Sequence, residues 1–190
     1  MPTKQQLRKI YLAKRQQLSP EDYAELNRKL LAGFQQLDLS GVKYLHCYLP
    51  IIAKKEPDTR LLIDWLKLKH PDIGLVYPQT NFTDHSMRHF VDDVQLVLAE
   101  NMFGITEPIA GNEVDVAEID MVIVPLLAFD RQGYRVGYGK GFYDRFMAQC
   151  KPSTQFVGLS FFAPEDSIED IDQFDVPLHR CIGPTQLYLF

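Results

Sequence analysis

The sequence predicts an α/β fold, a three-layer α/β/α domain with a mixed, mostly parallel sheet, formed by residues 1–190 as a single domain. Two observations carry that prediction. Val42–Leu49, Ile73–Tyr77, Ile119–Leu127 and Gln155–Ser160 are short, mostly apolar runs, the pattern of strands buried on both faces. Helical patterns separate several of them, giving the strand–helix–strand order of a parallel sheet. A chain of 190 residues with 46% hydrophobic residues is large enough for one substantial core.

From the N-terminus, Lys4–Leu18 places Leu7, Ile10, Tyr11 and Leu18 on one side at helical spacing. Lys4, Arg8 and Arg15 gather on another side. Ser19, Pro20 and Glu21 then form a helix start, a capping hydroxyl followed by proline at the first helical position. Tyr23, Leu26, Leu30, Phe34 and Leu37 continue the apolar stripe of this second helix, and Gly41 ends the region. The run Val42–Leu49 reads as a strand in which His46 is a hydrogen-bonded core residue. Thr59–Leu68 is a helical pattern, with Leu61, Leu62, Trp65 and Leu66 as core, and Ile73–Tyr77 and Arg88–Val91 are strands. Ile119–Leu127 is the strongest strand. Asp130-Arg131-Gln132-Gly133 has the Asp-first, Gly-fourth preference of a type I turn, so the chain folds back before a glycine loop. A helix over Gly141–Ala148 and a strand over Gln155–Ser160 follow.

Composition narrows the function classes. A net charge of -5 opposes general nucleic-acid binding, which rewards a broad excess of Lys and Arg. The charged N-terminus has no apolar signal core, and no run of about 18 apolar residues occurs, so neither secretion nor membrane association is expected. Cys47, Cys150 and Cys181 form no CxxC pair, which suggests neither zinc nor disulfides and suits the cytoplasm. His85 and His89 have chelating i, i+4 spacing, but they stand in a loop-and-strand stretch, so no metal role is assigned to them.

The chemistry concentrates in Val124–Met147, VPLLAFDRQGYRVGYGKGFYDRFM. Gly137, Gly139 and Gly141 alternate with Tyr138 and Lys140, so main-chain N–H groups can turn toward an anion. Arg135, Lys140 and Arg145 surround this loop with positive charge, and Asp144 follows where a carboxylate can hold the magnesium ion of a nucleotide triphosphate. The loop fits neither the Walker pattern nor the dinucleotide fingerprint, and an exposed, solvated hairpin is the competing reading.

The stretch PLLAFDRQGYRVGYGKGFYDR resembles the signature of the 5-formyltetrahydrofolate cyclo-ligase family, also called 5,10-methenyltetrahydrofolate synthetase. KQQLR near the N-terminus, EPDT, FGITEP and FDVPL are similar to further family motifs, so the resemblance spans almost the whole chain. It implies conversion of 5-formyltetrahydrofolate to 5,10-methenyltetrahydrofolate with release of ADP and phosphate, through a phosphorylated formyl intermediate.

By the same resemblance, Lys4, Arg8, Arg135, Val136, Gly137, Tyr138, Gly139, Lys140, Gly141, Phe142 and Tyr143 bind ATP, with Arg135 and Lys140 catalytic. Leu49, Glu56, Phe142 and Tyr143 contact the folate, and Asp144 and Asp175 hold Mg2+. The expected partners are small molecules, ATP and 5-formyltetrahydrofolate, with no nucleic acid and no membrane, and a monomer is expected.

Departures from the family pattern cluster in two places. The segment from Tyr48 to Glu56 is about two residues longer than usual, with Pro57 replacing an apolar residue, and Lys54 and Lys55 are left either to meet a polyglutamate tail or to do nothing. Tyr138 stands at a frequent arginine position and Phe142 at a common tyrosine position. These features keep two alternatives in view: a related ATP-dependent enzyme with a non-folate acceptor, and a non-catalytic nucleotide- or sugar-phosphate-binding module.

Overall fold

The computed structural model describes all 190 residues. In chain order its elements are α1 (Lys4–Gln16), α2 (Pro20–Phe34), β1 (Tyr44–His46), α3 (Arg60–Lys69), β2 (Gly74–Thr80), β3 (Met87–Val91), β4 (Val97–Glu100), β5 (Thr106–Ala110), β6 (Met121–Val124), β7 (Ala128–Phe129), β8 (Arg135–Val136), α4 (Phe142–Met147), β9 (Gln155–Leu159), β10 (Arg180–Ile182) and β11 (Leu187–Leu189). Seven strands make the main sheet, ordered β11-β10-β9-β6-β1-β2-β3. The interior pairs β2–β1, β1–β6, β6–β9 and β9–β10 are parallel. Only the two edges, β3 against β2 and β11 against β10, are antiparallel. The sheet is therefore mixed and mostly parallel, as the strand–helix alternation predicts.

Period-two alternation divides the strands between two cores. Leu45, Leu75, Tyr77, Met121, Ile123, Val157 and Leu159 face the layer of α2 and α3, where Leu30, Phe34, Leu62 and Leu66 meet them. Val76, Val122, Val124 and Phe156 face the opposite way, onto Phe146 and Met147 of α4. Helix α1 packs elsewhere, with Leu7 and Tyr11 on Leu127, Ala128 and Val136 around the β7–β8 hairpin.

Local signals set the helix ends. Thr3 closes a capping box with Gln6 ahead of α1. Ser19 accepts from the Asp22 N–H at 3.0 Å, with Pro20 at the first helical position, as read from the sequence.

Several expectations are corrected. The strand expected over Val42–Leu49 is three residues long, because after Cys47 the chain leaves the sheet and the Tyr48 carbonyl is taken by the Thr59 hydroxyl. Strand β6 stops at Val124, since Pro125 has no N–H for the ladder. Ile10, expected on the apolar side of α1, is exposed, whereas Arg15, expected with Lys4 and Arg8 on the other side, is 2% exposed. His46 is fully buried, but neither ring nitrogen has a hydrogen-bond partner in the protein.

This topology gathers the functional segments at one edge. The carboxyl ends of β1, β2 and β6 all open on the same side of the parallel sheet, the side where ligands bind in open α/β folds. From β6 the chain runs through β7, turns at Asp130–Gly133, and returns as β8 into the glycine loop. The Gly133 N–H closes the turn on the Asp130 carbonyl at 3.1 Å, and the Asp130 carboxylate accepts from the N–H groups of Gln132 and Tyr134.

Candidate active site

The glycine loop is suspended between two guanidinium groups. Arg8 donates from Nε to the Gly137 carbonyl at 2.9 Å, and Arg145 donates from Nη1 to the Lys140 carbonyl at 3.0 Å. Holding those carbonyls leaves the opposite dipole ends free, and no N–H from Gly137 to Gly141 has an acceptor within the protein. Glycine is required at two of these positions. Gly139 has φ +85° with the Arg8 guanidinium 3.0 Å from where a Cβ would stand, and Gly141 has φ +68° with Arg145 at 2.6 Å. The arrangement is a row of donors with the exposed Lys140 among them, suited to a polyphosphate.

Two ion pairs border the same space. Lys4 pairs through Nζ with Asp175, and its main-chain N–H donates to Asp170 at 2.5 Å. Arg135, 8% exposed, donates to Asp144 Oδ1 at 2.8 Å and to the Val176 carbonyl. Burial pulls the Arg135 guanidinium below its ordinary pKa, and the Asp144 carboxylate opposes that shift.

Each aspartate commits one oxygen to a cation, while Asp144 Oδ2 and Asp175 Oδ1 accept no hydrogen bond. No cluster of three or more metal-ligating side chains exists. Two half-free carboxylates beside a phosphate cradle fit Mg2+, which is usually held by one or two carboxylates together with substrate phosphates.

Glu56, 3% exposed, accepts from the Ile51 N–H at 2.7 Å on Oε2 and from the Tyr138 hydroxyl at 2.5 Å on Oε1. The lengthened segment before it thus curls around its carboxylate. Lys55 is occupied elsewhere, donating to the Gln16 and Leu18 carbonyls at the end of α1. Lys54 lies 4.6 Å from the Tyr138 ring centroid. Phe142 meets Phe82 edge-on at 5.3 Å, and Phe82 in turn meets Phe103 of the β4–β5 hairpin at 4.5 Å. Tyr143 packs toward the core, 6.0 Å from His46, with its hydroxyl unpaired.

Most of these groups border a single cavity of about 1130 Å3, large enough for more than one ligand. Of the residues singled out in the sequence, the cavity brings together Lys4, Arg8, Leu49, Glu56, Arg135, Gly137 through Tyr143, Asp144 and Asp175. Val136 is the exception. It is fully buried in the core beneath α1, because its strand alternation turns it away from the side that Arg135 faces.

The structure also adds residues to which the sequence gave no role. Glu107 lines the cavity, 8% exposed, accepting from the Thr80 N–H and hydroxyl and from Asn101. Its signal was the FGITEP motif, recognised without a function. Arg15 reaches the Tyr138 hydroxyl from behind at 3.4 Å. His85 and His89 lie beside a separate small cavity, with His89 in β3.

A family model described as the 5-formyltetrahydrofolate cyclo-ligase family matches residues 1–179. The 5-formyltetrahydrofolate cyclo-ligase of Mycoplasma genitalium is 28% identical over 188 residues, 96% of this chain and 100% of the relative. That of Escherichia coli K12 is 26% identical over 92% of this chain and 97% of its own. Among solved structures, the Aquifex aeolicus 5,10-methenyltetrahydrofolate synthetase matches with a TM-score of 0.75 at 28% identity, covering 98% of this chain and 92% of that one. The Mycoplasma pneumoniae synthetase matches with a TM-score of 0.75 at 27% identity, covering 94% and 97%.

Proposed function

The chain belongs to the 5-formyltetrahydrofolate cyclo-ligase family and converts 5-formyltetrahydrofolate to 5,10-methenyltetrahydrofolate with ATP as co-substrate; from there we propose how its cavity performs the ring closure. The formyl oxygen attacks the γ-phosphorus, forming an O–P bond as the bond to ADP breaks. The second folate nitrogen then adds to the activated carbon and loses its proton. That addition closes the ring, and phosphate departs carrying the formyl oxygen as the C–O bond breaks, leaving the methenyl C=N bond.

The protein's part in such a reaction is positioning and charge neutralisation. The unpaired N–H groups of Gly137–Gly141 and the Lys140 ammonium receive the phosphates, while Lys4 and Arg8 add positive charge from α1. Arg135, fixed by Asp144 and the Val176 carbonyl, is aimed at charge on the transferring group. Asp144 and Asp175 would hold Mg2+, which would neutralise phosphate charge. Glu56 accepts hydrogen bonds from the pterin amine and ring N–H, and Leu49, Phe142 and Tyr143 pack against the folate.

One observation carries this reading: Arg8 and Glu56 both reach the same glycine loop, through the Gly137 carbonyl and the Tyr138 hydroxyl. A nucleotide cradle and a folate carboxylate are therefore neighbours in space. A monomeric, single-domain enzyme is part of this reading, and three free cysteines suit a cytoplasmic location.

The test is to incubate purified protein with ATP, magnesium and 5-formyltetrahydrofolate and to follow the absorbance of the methenyl product. Product formation that requires ATP supports the proposal. Absence of product at high enzyme concentration refutes it.

A further inference from the structure

Tyr138 is the only side chain of the glycine loop that turns back to meet the residue assigned to folate. Its hydroxyl donates to Glu56 Oε1 at 2.5 Å, although 82 positions separate the two in sequence. Behind it lies Arg15, 2% exposed, which forms no ion pair with any carboxylate in the protein. Arg15 instead donates from Nη2 to the Leu126 carbonyl and from Nη1 to the Tyr138 hydroxyl at 3.4 Å. A buried cation without a direct counter-charge is costly, and the nearest negative group along this hydrogen-bonded path is Glu56.

We propose that Arg15 and Tyr138 form a positioning relay which aims the Glu56 carboxylate and couples its placement to occupancy of the ATP loop. The relay rests on the assignment of Glu56 to folate. Three geometric facts support it. The Tyr138 main chain belongs to the cradle while its side chain belongs to the folate side, so a shift of one moves the other. Lys54 Nζ stands 4.6 Å from the Tyr138 ring centroid, holding the ring on a second side. The Ile51 N–H fixes Oε2 at 2.7 Å, so Tyr138 supplies the remaining constraint on the carboxylate plane.

The protonation states agree with these roles. Burial, followed by the Glu56 charge, keeps the Tyr138 hydroxyl above the ordinary tyrosine range, so the tyrosine keeps its proton and is the donor in this bond. Neither the Arg15 side chain nor the Tyr138 hydroxyl touches substrate in this scheme. Both are positioning residues, and the relay adds a property that the assigned contacts lack: each substrate tightens the binding of the other, by the same factor in both directions.

The experiment measures equilibrium affinity for 5-formyltetrahydrofolate with and without a non-hydrolysable ATP analogue, in the wild type, Tyr138→Phe, Arg15→Lys and Glu56→Gln. Phenylalanine keeps the main-chain donor and the ring and removes only the hydroxyl. In the wild type the analogue is expected to tighten folate binding several-fold. Tyr138→Phe is expected to weaken folate binding about tenfold, the loss of one hydrogen bond to a charged acceptor, and to abolish the tightening. Its affinity for the analogue alone stays within about twofold of wild type, a split that general loop damage would not produce.

Arg15→Lys keeps the charge but shortens the reach, and should lose part of the tightening. It also reads the relay independently should Tyr138→Phe fold poorly. Wild-type affinity and tightening in either variant would overturn the relay, as would equal losses for both ligands. If Glu56→Gln leaves folate affinity unchanged, the assignment of Glu56 itself has failed and the relay falls with it. If Glu56→Gln is sensitive but Tyr138→Phe is not, the relay alone is wrong.

Discussion

Arg8 Nε donates to the Gly137 carbonyl at 2.9 Å, joining the N-terminal helix to a loop 129 positions later in the chain. This bond makes α1 a wall of the cavity, at the proposed nucleotide site, and braces the glycine loop. Arg8→Ala should raise the KM for ATP at least tenfold and change the KM for 5-formyltetrahydrofolate much less, as initial rates with each substrate varied will show. Gly139→Ala should be worse, since φ +85° and the Arg8 guanidinium 3.0 Å from the new Cβ both oppose a side chain.

In the proposed scheme Lys140 and Glu56 divide the cavity between phosphate and folate. Lys140→Ala should lose ATP binding and transfer, whereas Glu56→Ala should lose about 2 kcal/mol of folate binding, a charged hydrogen-bond acceptor, with nucleotide affinity nearly intact. Calorimetric titration of both variants with both ligands checks the division. Equal loss of ATP binding in both would refute it.

Asp144→Asn and Asp175→Asn should each raise the magnesium concentration needed for half-maximal rate. Asp144→Asn should cost more, because it also leaves the buried Arg135 without its counter-charge. Magnesium titrations of initial rate at fixed ATP provide the measurement, and unchanged requirements in both variants would remove these residues from the metal site.

Acid should destabilise the fold through a histidine pair. His46 and His89 pack edge to face at 5.1 Å, and burial lowers both pKa values, that of His89 to about 4. The unfolded chain takes up these protons first as pH falls below about 6.5, so stability is full above that value and declines toward pH 4. His89 alone contributes a loss on the order of 3 kcal/mol across that window. Urea midpoints at pH 7.5 and pH 5 test this, with a lower midpoint expected at pH 5, and His89→Phe should reduce the difference while His46 sustains the remainder.

The parts of the molecule legible in the sequence are those written in local pattern. Ser19-Pro20 marks the start of α2, Asp130–Gly133 the return turn, and the spaced glycines the donor loop, because capping, turn geometry and positive φ each demand particular residues at fixed offsets. Arg15 was misplaced because helical spacing sorts polar from apolar faces but does not distinguish solvent from a buried polar cluster. The Tyr138–Glu56 bond joins the loop after β8 to the connection between β1 and α3, 82 positions apart, and no local signal encodes it. Val136 shows the limit of reading a site as a continuous segment: strand alternation sends one residue of the motif into the core. The β4–β5 hairpin was missed because its exposed, mixed sequence lacks both strand alternation and helical period.

In the proposed reaction the cavity holds the γ-phosphate of ATP against the formyl oxygen. Supplying substrate with 18O in the formyl group and determining the isotopic content of the released phosphate tests it most directly. One 18O atom per phosphate, in step with methenyl product, is the predicted result. Unlabelled phosphate would contradict the account, because the γ-phosphate would then have gone to water rather than to the folate.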